Sequence, residues 1–84
     1  MLDLLPSKHV RLHETILGLG AVVLNELWEP RDLDAVWELL KELKRRKKAV
    51  PEHTTFEDVI LAVDFLFALG AVSRNAKGEL TRCG

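Results

Sequence analysis

Three histidines, one cysteine, two serines and an isolated aspartate are the residues of this 84-residue chain whose side chains could carry chemistry. His9 and His13 stand four apart, the spacing at which two imidazoles on one helix can share a metal. No clear third ligand accompanies them, and Cys83 lies at the far end of the chain, so the pattern argues against a metal site. His53 falls in a connecting segment and reads as a surface or capping residue. Ser7, Ser73, Cys83 and the histidines show no nucleophile–base spacing. Gly18-Leu19-Gly20 follows no strand and lacks the third glycine of a dinucleotide loop, and no Walker sequence occurs. Asp64 is the one polar residue between Val59 and Leu69. A carboxylate among such neighbours is expected to meet a salt bridge or a backbone group at an interface, rather than to act as a catalytic acid. No catalytic residue, metal or cofactor is therefore expected, and a free-standing enzyme is the least favoured reading.

A second kind of chemistry lies in the cations. Met1 to Leu40 carries net −4, Lys41 to Lys48 net +5, and Ala49 to Gly84 net −2. The strong positive character thus sits in the second of these segments, chiefly Lys44, Arg45, Arg46, Lys47 and Lys48, with Arg74, Lys77 and Arg82 further on. Three uses fit the run: a solvated helix end, an acidic patch on a partner, or nucleic-acid phosphates.

A single domain is all that this length allows, and a domain so small has a thin margin of stability. Yet 48% of the residues are hydrophobic. A globule of this size cannot shield so many apolar side chains, so a partner is expected to cover part of the excess. One cysteine cannot form an internal disulfide, which excludes a disulfide-stapled secreted scaffold. The start, MLDLLPSKHV, does not read as a signal peptide, and the longest apolar or glycine run, Ile16 to Leu24, is too short to span a bilayer. A cytoplasmic location is expected.

The elements that position these residues follow from periodicity. Residues 1–12 read as an extended arm, with Leu2, Leu4 and Leu5 free to pack on the domain or on a partner; residues 13–84 read as one domain. Helix one should run from about His13 to Trp28. Leu17, Ala21, Leu24 and Trp28 form one stripe, but Ile16, Leu19, Val22, Val23 and Leu27 fill the other directions, so the helix should be buried all round. Gly18 and Gly20 each cost about 1 kcal/mol there, which a close approach by another backbone would explain. Pro30 stops the helix.

Helix two should begin with Asp32 or Asp34 as its cap and run to about Arg46, with Leu33, Val36, Trp37, Leu40 and Leu43 or Lys44 as its apolar stripe and Glu42 paired to Arg46. Helix three should begin after Thr54 or Thr55, with Thr55 and Asp58 as a capping box, and end at Gly70. Ala71 to Arg74 and Glu79 to Arg82 should pair as a hairpin around Asn75-Ala76-Lys77-Gly78. The fold class expected is mainly α with a C-terminal β-hairpin: a winged helix-turn-helix.

That fold commonly binds DNA through its third helix, using Arg, Lys, Asn, Gln or Ser. Here helix three offers Glu57, Asp58 and Asp64 and no base, so sequence-specific readout is not expected.

The segments LPSKHV, ILGLGAVVLNEL, DAVWELLKELK and FEDVILAVDFLFALGAV, followed by a short hairpin, span nearly the whole chain. In this order they resemble the small middle components of bacterial ABC-three-component systems, most specifically in LPSKH, LGLGA and AVDFLFALGAV. The resemblance implies a winged-helix adaptor encoded beside an SMC- or RecF-like ABC ATPase and an effector, acting in defence against phages and other invading DNA. It implies no catalytic residues. The contact surfaces would be helix one (Leu17, Gly18, Gly20, Ala21, Leu24) and helix three (Ile60, Asp64, Phe65, Phe67), and any DNA contact would be non-specific. The alternative is a DNA-binding transcriptional regulator, a homodimer through helix one; an antitoxin-like mask for a toxin comes third.

Overall fold

The computed structural model describes the backbone of residues 6–83 and the side-chain surroundings of residues 14–83. Three helices, α1 (Pro6–Glu26), α2 (Leu33–Arg45) and α3 (Phe56–Leu69), are followed by an antiparallel ribbon of β1 (Val72–Arg74) and β2 (Leu80–Arg82). This is the winged-helix order. Helix α1 begins at Pro6, not near His13, so residues 6–12 are helical where an extended arm was expected. The physical reason is local: a proline at the first helical position loses no intrahelical bond, and no glycine or proline follows before Gly18. Leu2, Leu4 and Leu5 lie outside the described residues, as do the side chains of His9 and His13.

The other boundaries are set by side chains close in sequence. Asp32 Oδ1 accepts the Ala35 N–H at 2.7 Å and starts α2. Thr55 and Asp58 form a reciprocal capping box at α3: Thr55 Oγ1 accepts the Asp58 N–H at 3.2 Å, and Asp58 Oδ2 accepts the Thr55 N–H at 3.0 Å. Gly70, at φ 74°, ends α3. Its N–H donates to Phe67 and that of Ala71 to Leu66, the paired bonds of a Schellman ending. In the hairpin, Asn75 Oδ1 accepts the N–H groups of Lys77 and Glu79, and Gly78 takes φ 80°.

The core joins all five elements. Leu19, Val23 and Leu27 meet Val36 and Leu40 of α2, Val59, Ala62, Val63 and Leu66 of α3, Val50 of the connection, and Val72 and Leu80 of the ribbon. Helix α1 packs mainly on α3. The ribbon also gains a third member: Arg31 and Leu80 exchange backbone hydrogen bonds of 3.1 and 2.7 Å. This bridge ties the α1–α2 connection to β2 and leaves β1 at the edge of the sheet.

Candidate partner-binding surfaces

Helix α1 is not buried all round. Leu19, Gly20 and Val23 are buried, whereas Leu17, Gly18, Ala21 and Asn25 are exposed at spacings of one, three and four residues. Leu17 keeps 56% of its surface accessible. The two glycines part company as well. A Cβ on Gly20 would stand 3.3 Å from Leu66 Cδ2, so this glycine admits α3, and it meets a side chain rather than a backbone. A Cβ on Gly18 would meet nothing within 4 Å. Leu24 is half-buried against the core, so Leu17, Gly18 and Ala21 are the expected contact residues of this helix that stand open.

Helix α3 likewise turns Val59, Ala62, Val63 and Leu66 inward. Its outward face is Glu57, Leu61, Asp64 and Ala68, all exposed, flanked by half-buried Ile60 and Phe65. Asp64 is therefore a solvated carboxylate within this chain. Phe67, expected as a contact residue, is half-buried against the core, with the Arg74 guanidinium 5.6 Å from its ring centre. Leu61 and Leu69, which the sequence reading did not single out, are half or more exposed. One signal could have found Leu61 and Ala68. Glu57 and Asp64 stand seven apart, two turns along one face, and Leu61 and Ala68 share that face at helical spacing. A shallow depression lined by Glu57, Ile60 and Leu61 opens on it.

Trp28, just beyond α1, is 71% exposed and holds the Arg31 guanidinium 4.7 Å from its ring centre. Two arginines outside α1 serve its C-terminal end, whose last turn has no basic residue of its own. Arg31 Nε donates to the Glu26 carbonyl at 2.7 Å, and Arg82 Nη1 to the Leu24 carbonyl at 3.2 Å. The Leu24 carbonyl also accepts the Leu27 N–H at 3.1 Å, so Arg82 adds to its bonding, and both cations answer the helix dipole.

The basic run divides into engaged and free residues. Lys44 is half-buried, donating from Nζ to the Thr54 carbonyl at 3.0 Å and lying 5.8 Å from the Trp37 ring centre. Arg45 and Arg46 both bind Glu42, and these hydrogen bonds hold the Glu42 carboxyl below its ordinary pKa. Lys47 and Lys48 are exposed, with no side-chain partner among the described residues. Arg74 and Lys77 are exposed on the hairpin. His53 and Cys83 are exposed and apart from any cluster, and among the described residues no group of three His, Cys, Asp or Glu is placed to hold a metal. No helix among them is long and apolar enough to cross a membrane.

No curated protein and no solved structure matches the chain. Its sequence does match a protein family, the ABC-three component system Middle Component 6, over residues 5–83. That match takes in all three helices and the wing, with the outward faces of α1 and α3. The chain therefore belongs to the Middle Component 6 family of ABC-three component systems, one subunit among several that interact.

Proposed function

We propose that this chain is a non-catalytic, cytoplasmic adaptor that joins the ABC ATPase of its system, an SMC- or RecF-like protein, to an effector component, in a bacterial complex acting against phages or plasmids. The observation that carries the reading is the exposure of Leu17 on α1 and Leu61 on α3, each on the side of its helix turned from the core. An exposed leucine on the outer side of each of two helices suits a piece held between two larger subunits. Leu17, Gly18 and Ala21 would meet one subunit, and Ile60, Leu61, Asp64 and Phe65 the other. Co-expression with the ATPase and the third component tests it. Leu17→Asp and Leu61→Asp should each release a different neighbour while circular dichroism stays native. An intact three-part complex with both variants would refute it.

The exposed cations support a lesser role, contact with DNA phosphates or an acidic partner through Lys47, Lys48, Arg74 and Lys77. Replacing Lys47 and Lys48 with serine should lower the slope of log affinity for DNA against log salt by about 2. Regulation of transcription is less well supported, because the outward face of α3 carries Glu57 and Asp64 and no base.

A further inference from the structure

Asp64 sits at the middle of the outward face of α3, with Leu61 one turn before it and Ala68 one turn after. It makes no ion pair with any described residue, and neither does Glu57, two turns earlier on the same face. Exposed to water, these carboxylates cost nothing. Once another protein covers Leu61 and Ala68, however, Asp64 leaves water with them. A buried, unpaired carboxylate opposes binding strongly, whereas one met by a cation does not. A wholly apolar occupant over Asp64 is thus disfavoured.

Resting on the adaptor reading above, we propose that α3 docks an amphipathic helix of a companion subunit, which brings a basic residue to Asp64 and a second one to Glu57. The spacing of residues along the face suits a helix. Glu57, Leu61, Asp64 and Ala68 form a narrow strip along one side of α3, and seven residues of helix place the two carboxylates about 10 Å apart. A helix laid lengthwise along this mixed strip would present its own residues to it at i, i+3, i+4 and i+7. Two bases seven residues apart on the incoming helix match the carboxylates, with apolar residues between them to cover Leu61. Arginine suits the position facing Asp64, since its planar fork bonds a carboxylate through two N–H groups.

The test uses the complex of this chain with the other two components of its system, prepared with chain variants and assayed at several salt concentrations. Asp64 and Leu61 are exposed, so substitution leaves the fold intact, and circular dichroism verifies this. Asp64→Asn should weaken assembly about tenfold and flatten its salt dependence, and Asp64→Arg should weaken it further. Leu61→Asp should also disrupt it. Unchanged or tighter assembly with Asp64→Leu, while Leu61→Asp still disrupts, would mean that the occupant brings no cation and would overturn the proposal. Assembly indifferent to all α3 variants but lost with Leu17→Asp would overturn it and leave the adaptor role standing. A chain that binds neither component would remove both.

Discussion

Gly20 of α1 lies so close to Leu66 of α3 that a methyl group on it would reach 3.3 Å from Leu66 Cδ2. Two residues earlier, Gly18 faces open space. In an isolated helix, alanine at either place gains about 1 kcal/mol. Gly18→Ala should therefore raise chain stability by about that amount. Gly20→Ala should gain little, because Leu66 is buried and must yield, and Gly20→Val should lose about 1–3 kcal/mol by overpacking. Thermal unfolding of the three variants checks the order.

Arg82 reaches back 58 residues to the Leu24 carbonyl. Arg82→Ala should cost about 1 kcal/mol, the worth of a charge-assisted bond at a helix C-terminus. Arg31→Ala should cost more. It removes the bond to the Glu26 carbonyl, the 3.3 Å ion pair with Glu29 and the stack on Trp28. In a domain of this size 1 kcal/mol moves Tm by about 4–8 °C, so calorimetry resolves the two. Quenching of tryptophan fluorescence by acrylamide, a neutral quencher, measured with Trp37 replaced by phenylalanine, should rise in the Arg31 variant alone.

Thr54 is buried, and its hydroxyl has no hydrogen-bond partner. Its backbone is engaged, donating to the Pro51 carbonyl and accepting from Lys44. Valine keeps the shape and both backbone bonds while removing an unsatisfied buried polar atom. Thr54→Val should therefore stabilise the chain by about 1 kcal/mol. A loss of stability in urea titration would show that the hydroxyl is satisfied in solution.

Glu42 is held below its ordinary carboxyl pKa of 4.5 by hydrogen bonds from Arg45 and Arg46. A depressed folded pKa favours the folded state fully above the unfolded value. That contribution fades as pH falls through 4.5 toward the lower, folded value. The site is open to solvent, so the effect is small and should weaken further in salt. Glu42→Gln should flatten this part of the acid limb, and the difference from the parent chain should shrink at 1 M salt. Tm measured against pH in low and high salt reads it.

The signals legible in the sequence are short-range ones. Asp32 before Ala35, Thr55 with Asp58, Gly70, and the Asn75–Gly78 turn each act within five residues, so the sequence alone placed both ends of α2 and α3 and the hairpin to within a residue or two. The overall order of three helices and a wing followed from them, while the family resemblance rested separately on LPSKH, LGLGA and AVDFLFALGAV. The start of α1 was missed. The helix offers no capping signal there except a proline, which reads equally well as a breaker.

What only the tertiary structure decided is which way α1 and α3 face. Amphipathic α2 declares its inner side through its polar residues, but in α1 and α3 nearly every direction is apolar, and hydrophobicity has no preferred direction around such a helix. Packing across long sequence distances made the choice. It turned Gly20 toward Leu66 and left Gly18 open, drew Phe67 under Arg74, spent Lys44 on the Thr54 carbonyl, and brought Arg82 to the end of α1. Composition alone predicts that apolar surface remains outside; only the fold shows that Leu17, Trp28, Leu61 and Leu69 carry it among the large side chains.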